Sequence, residues 1–132
     1  MDNIYKIKRF RNINLNKYIM QEADSDRIKE SIKLGILFCE YFSNIDHRIM
    51  VLLNSEDTHR FVTINLENSI ARILEITNDY IVIKLIDSHP IFNMLKSEME
   101  SNIEIFEAYA RFTYNPLDNF KLITFDIVNI GG

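Results

Sequence analysis

Apolar and polar side chains alternate over residues 4–10, with Ile4, Lys6 and Lys8 on one side and Tyr5, Ile7 and Arg9 on the other, which predicts a short strand. A polar run at 12–16 reads as a loop. Asp24 or Ser25 is placed to cap a helix running to about Leu34, with Ile28, Ile32 and Leu34 on its buried stripe, and Gly35 sits where such a helix stops. Residues 36–42 read as an apolar strand or a tight approach to the core, 44–46 as a turn, 48–53 as another strand and 54–57 as a polar loop. Alternation resumes over 60–66, where Val62, Ile64 and Leu66 should face inward. Residues 70–76 and 80–86 read as a hairpin about Thr77-Asn78-Asp79, its second strand apolar enough to be central. Pro90 suits a first helical residue, and Ile91, Met94 and Leu95 carry that helix to about Met99. A long strand over 103–114 breaks at Asn115-Pro116, and 120–128 closes the chain with Ile123, Phe125 and Ile127 on one face.

Many strands and two short helices predict an α+β fold: a curved sheet or small β-barrel of about six to eight strands. No repeat, linker or low-complexity tract interrupts residues 1–132, so they read as one domain. Composition changes this picture little. Hydrophobic residues make up 47% and charged ones 26% of the 132, ordinary globular values that exclude a disordered or fibrous class. No apolar run reaches the roughly 18 residues of a membrane span, and the N-terminal stretch has no signal-peptide core. A single cysteine, Cys39, excludes an internal disulfide. The expectation is an intracellular chain. Isoleucine occurs 22 times and Gly only three, a bias that AT-rich coding produces and that leaves no phosphate-cradling loop.

Charge is uneven. Residues 1–17 carry Lys6, Lys8, Arg9, Arg11 and Lys17 against Asp2, a segment charge of +4, and the rest of the chain carries −8. Such an arm is competent to contact nucleic acid through Lys6, Lys8, Arg9 and Arg11, or an acidic protein. It lacks the Gly or aromatic platform of nucleic-acid grooves, which favours a plain edge strand kept apart by its charges. His47, His59 and His89 have no zinc-site spacing, so neither metal nor cofactor is expected. His59 follows Glu56 and Asp57 and is the one candidate base. His89, at a helix start, is disfavoured as a cation. Cys39 lies in an apolar run and reads as an inert buried thiol. Glu98, Glu100, Glu104 and Glu107 read as solvated faces without the grouping of a calcium loop.

The order of segments resembles the prohead (head maturation) serine proteases of tailed phages, whose fold is like the herpesvirus assembly protease. The run Gly35-Ile36-Leu37-Phe38-Cys39-Glu40-Tyr41-Phe42-Ser43-Asn44 is similar to the family's Gly-x-Leu-Phe-Gly-Glu-Leu-x-His-Pro. Asn68-Ser69-Ile70-Ala71-Arg72-Ile73 corresponds to its Asn-x-Ser-His-x-Ile strand, and Leu85-Ile86-Asp87-Ser88-His89-Pro90 to its Ile-Leu-Asp-Thr-Pro turn. Tyr109-Ala110-Arg111 is similar to the Ser-Ser-Arg nucleophile segment, and Leu122-Ile123-Thr124-Phe125-Asp126-Ile127-Val128 to the closing strand. The likeness covers residues 24–128.

The departures fall on the chemistry. Acyl transfer needs a nucleophile with a base in hydrogen-bond reach. The resemblance puts Ala110 at the nucleophile, Ala71 at the strand histidine and Ser43 at the earlier histidine, and retains Arg111. The implied protein is a non-catalytic, capsid-associated structural or auxiliary component of a phage head. Its implied partners are head proteins, the major capsid protein first, with no membrane and no small-molecule substrate. Its implied place is the virion, or the host bacterial cytoplasm during assembly. Two alternatives stay open: a hydrolase with relocated groups (His59 as base; Ser43, Ser55 or Ser101 as nucleophile), and a small regulatory binder or inhibitor of a viral or host protein.

Overall fold

A computed structural model describes residues 2–11, 15–43, 63–115 and 119–131. Among them are six strands: β1 (Ile4–Lys8), β2 (Phe38–Phe42), β3 (Ser69–Ile76), β4 (Tyr80–Leu85), β5 (Phe106–Asn115) and β6 (Asn119–Asn129). Three helices accompany them, α1 (Asn16–Ala23), α2 (Asp26–Lys33) and α3 (Phe92–Asn102), with short 3-10 turns at Leu66–Asn68 and Ile103–Ile105. The fold is α+β, as expected, with three helices in place of two.

The strands form one sheet in the order β1-β4-β3-β2-β6-β5. Every neighbouring pair is antiparallel except β2 and β6. The sheet curls until its two edge strands meet. Arg9 bridges Ala108 in parallel, and the Phe10 N–H donates to the Ala108 carbonyl at 2.9 Å. The result is a half-barrel. Its interior is lined by Ile7, Ile73, Ile81, Ile83, Ala108, Phe125 and Ile127, and Ile19, Ile28 and Leu95 from the helices complete the same core.

Local chemistry explains most elements. Ser25 caps α2 by accepting from the Ile28 N–H, and Gly35 ends it at φ +72°. The β3–β4 turn forms where Thr77 Oγ1 accepts the Asp79 and Tyr80 N–H groups. As expected, β4 is interior to the sheet.

Four expectations need correction. Helix α1 begins within the stretch read as a loop, at Asn16; only Ile19 and Ala23 are buried, too few apolar positions to show a period. Leu34, expected on the stripe of α2, is 60% exposed because it is the cap residue where the helix has already ended. Leu66 is 67% exposed in a 3-10 turn, where the period of a strand no longer applies. Helix α3 starts at Phe92, two residues after Pro90, and Met94 is exposed while Leu95 and Met99 are buried.

Bulges account for a fifth difference. The β5–β6 register slips between Arg111 and Phe112, so that Phe112 faces Leu122 and Ile123 is skipped. Leu122 therefore joins Phe125 in the core and Ile123 is only half-buried. The expected turn at 44–46, strand at 48–53 and loop at 54–57, the start of the 60–66 strand, and His47, Ser55 and His59 lie outside the described residues. So do residues 12–14 of the expected loop and Pro116 of the break.

Candidate functional site

Three strands each place one charged residue in the buried part of the sheet: Glu40 on β2, Arg111 on β5 and Asp126 on β6. Residues directly across a ladder share a face. Thr124 lies opposite Arg111 and Asp126 opposite Tyr109, so Arg111 and Asp126 are diagonal neighbours on one face. The parallel register of Tyr41 with Ile127 brings Glu40 level with Asp126. The three side chains meet there, at exposures of 2%, 0% and 5% for Arg111, Asp126 and Glu40.

Arg111 is the hub. Its Nε donates to Asp126 Oδ2 at 3.0 Å and its Nη2 to Asp126 Oδ1 at 2.6 Å, a bidentate pair. Nη2 also lies 2.8 Å from Glu40 Oε2, and Nη1 reaches the Thr63 carbonyl at 3.3 Å. Glu40 Oε2 accepts the Asn65 N–H at 2.9 Å. Asn68 Nδ2 donates to the Tyr41 carbonyl at 2.9 Å and lies 3.5 Å from Glu40 Oε1. Burial opposes the arginine's charge, but the two carboxylates outweigh it and raise the guanidinium further above its ordinary range. With both carboxylates ionised, the cluster carries net −1, buried, and its charged oxygens are held by fixed donors. Its effect is to clamp β2, β5 and β6 and to seat the 63–68 segment on them. Each charged side chain of the cluster thus has a partner among the described residues.

The positions the resemblance marks lie apart. Ala71, on β3, pairs with Cys39 and Leu85; Ala110, on β5, pairs with Phe125. Extending the β2–β6 register sets Cys39 level with Phe125, so Ala71 and Ala110 share one row but sit three strand spacings apart, about 14 Å on a flat sheet. Ser43, exposed, follows the end of β2. The three are not brought together; of the marked residues only Arg111 enters the buried cluster.

The relocated groups fare no better where they are described. Ser101 Oγ bonds back to the Ser97 carbonyl at 2.9 Å on an exposed face of α3. His89 is a local brace: Nδ1 accepts the Ile91 N–H at 3.2 Å, and Nε2 lies 3.0 Å from the Glu67 carbonyl. Cys39 is fully buried, and burial pushes its thiol well up, with Asp126 adding to the effect and Arg111 opposing it. Among the described residues no group of His, Cys, Asp and Glu is arranged to hold a metal.

The basic segment 1–17 supplies the edge strand β1, with Arg9 and Arg11 just beyond it and Lys17 in α1, and Lys8, Arg9 and Arg11 are engaged. Lys8 bonds the Glu104 carbonyl and carboxylate, and Arg11 pairs with Asp79 at 3.2 Å. Arg9 is 6% exposed and turned inward, donating to the carbonyls of Thr77 and Asn78 and to Asn16 Oδ1. Burial, then Arg11, pushes it down to about 10. An open groove of about 570 Å³ beside it is shared by Arg9, Arg11 and Glu107, so cations and carboxylate offset one another there.

No role was expected of Glu40 or Asp126; the signal that marks them is a carboxylate inside an apolar run, which must find a partner or lose its charge. No helix of the described residues is long and apolar enough to cross a membrane. No family model matches the chain, and no curated protein or solved structure matches it either.

Proposed function

We propose that the chain is a non-catalytic, capsid-associated component of a phage head, built on a scaffold similar to that of the prohead proteases. The observation that carries this reading is that three of the segments resembling the family, around Glu40, Arg111 and Asp126, supply one buried ion cluster, while methyl groups stand at Ala71 and Ala110. A scaffold fastened at its charged positions, with methyl groups at Ala71 and Ala110 in place of a base and an attacking oxygen, is suited to surface contact. Its first partner in this reading is the major capsid protein, and its place is the virion or the host cytoplasm during assembly. The test is quantitative mass spectrometry of purified virions together with incubation of the pure chain with capsid and scaffold precursors. A fixed copy number per particle and intact precursors are expected. Absence from particles would remove the reading, and so would cleavage abolished by one point substitution.

A further inference from the structure

The outer face of the β1-β4-β3 half carries an unresolved electrostatic conflict. Ile4 pairs with Lys84, Lys84 with Arg72, and Arg72 with Phe38, so these four side chains stand in one row across four strands. Lys84 and Arg72 are thus like charges directly opposite each other, an arrangement that destabilises a sheet. Lys6 lies two residues along β1 from Ile4, on the same face, with Val82 and then Glu75 across from it. Among the described residues no carboxylate forms an ion pair with Lys6, Arg72 or Lys84. Among the described residues, Lys6, Arg72 and Lys84 thus stand on this face without an ion pair, beside Glu75, in a chain of net −4. Local rules broken without internal compensation mark positions kept for something outside the chain.

Apolar groups flank the cations. A Cβ on Gly35 would lie 3.4 Å from Arg72 Nη1, so the guanidinium rests against the 34–36 segment, whose Leu34 and Ile36 are 60% and 53% exposed. Ile4, at the other end of the row, is 46% exposed. An arginine between apolar side chains is the composition of a protein-contact anchor. Nucleic acid fits less well. Lys6 Nζ already covers the Tyr80 ring at 4.8 Å, where a base would stack, and Glu75 would face the phosphates.

We infer that this face docks an acidic protein segment carrying apolar side chains, its carboxylates on Arg72 and Lys84 and its apolar groups on Ile4, Leu34 and Ile36. The inference stands on the sheet face alone, so it survives or falls independently of the head-protein reading. Amide chemical-shift mapping of the full chain with a short peptide of alternating Glu and Leu tests it. Shifts centred on Ile4, Ile36, Arg72 and Lys84 are expected, with no response to the same peptide carrying Lys for Glu. The double substitution Arg72→Gln with Lys84→Gln should weaken binding at least about tenfold and leave the melting temperature unchanged or higher, because the like-charge pair is gone. Glu75→Gln should tighten it. Tighter binding of a single-stranded oligothymidylate at these residues, shifts confined to another face, or no shifts at all would each overturn the assignment, as would a melting temperature lowered by the double substitution.

Discussion

Gly35 and Cys39 show how single residues set this structure. Gly35 has φ +72° at the end of α2, in the left-handed region that a Cβ disfavours, while the added Cβ would meet Arg72 only at contact distance. Gly35→Ala is therefore expected to cost about 1 kcal/mol, read as a lower urea midpoint at unchanged slope. An unchanged midpoint would mean the loop relaxes freely. The Cys39 thiol is raised by burial, so its neutral form belongs to the fold. A raised folded value gives a contribution that is complete below the ordinary thiol value and lost as pH rises past it. Native protein at mildly alkaline pH should accordingly resist a thiol reagent until denaturant is added, and Cys39→Ala should flatten the alkaline fall in stability. The alanines at 71 and 110 make a different point. They lie three strands apart in one row, so Ala71→His, at a fully buried position, should cost stability, and its pair with Ala110→Ser should show no peptide-bond turnover.

At the scale of elements, the ion cluster is what ties β2 to β5 and β6. Arg111→Met would leave the Asp126 and Glu40 carboxylates buried without their cation, a loss of roughly 3–5 kcal/mol measurable by chemical unfolding. A loss below 1 kcal/mol would show that solvent reaches the pair. A second fastening lies between helices and sheet. Glu22 Oε1 accepts the Leu122 N–H at 2.9 Å and Arg27 donates to the Leu122 carbonyl at 2.7 Å, so two side chains from the helical segment hold the β6 backbone at Leu122. Elements with strong local signals were readable in advance: α2 from Ser25 and Gly35, the β3–β4 hairpin from Thr77-Asn78-Asp79, and β6 from its apolar run. Helix α1 was not, because two buried residues make no period, and Leu122 was not, because a bulge on the partner register exchanges it with Ile123. For the same reason the candidate cluster was half legible. Arg111 stood out, whereas its meeting with Glu40 and Asp126 depends on strand order, which no local pattern encodes.

On the scale of the whole molecule, the described residues close the curl of the sheet through the backbone at Phe10 and Ala108, and along the rest of β1 through side chains. Tyr5 OH donates to Glu100 Oε1 at 3.0 Å, Lys96 bridges Glu100 at 2.8 Å and Asn3 at 3.0 Å, and Lys8 holds Glu104. The bonds from Lys96 and then Tyr5 hold the Glu100 carboxyl below its ordinary 4.5, so its contribution is complete above that value and lost as pH falls through the lower folded one. Tyr5 is raised from 10.0 by burial and then by its bond to Glu100, and Lys96 from 10.5 by its bond to Glu100; both contributions are complete below those values and fade as pH rises beyond them. The seam is thus intact from mildly acidic to mildly alkaline pH and loosens at either end. Glu100→Gln isolates the acid limb. The variant should melt below the parent at neutral pH, and the gap should close as acid protonates Glu100 in the parent. The Glu100 carboxylate is exposed, so added salt should narrow the neutral gap as well. A gap that persists unchanged through acid would mean that Glu100 supports β1 by packing, and that the half-barrel is held shut at Ala108 alone.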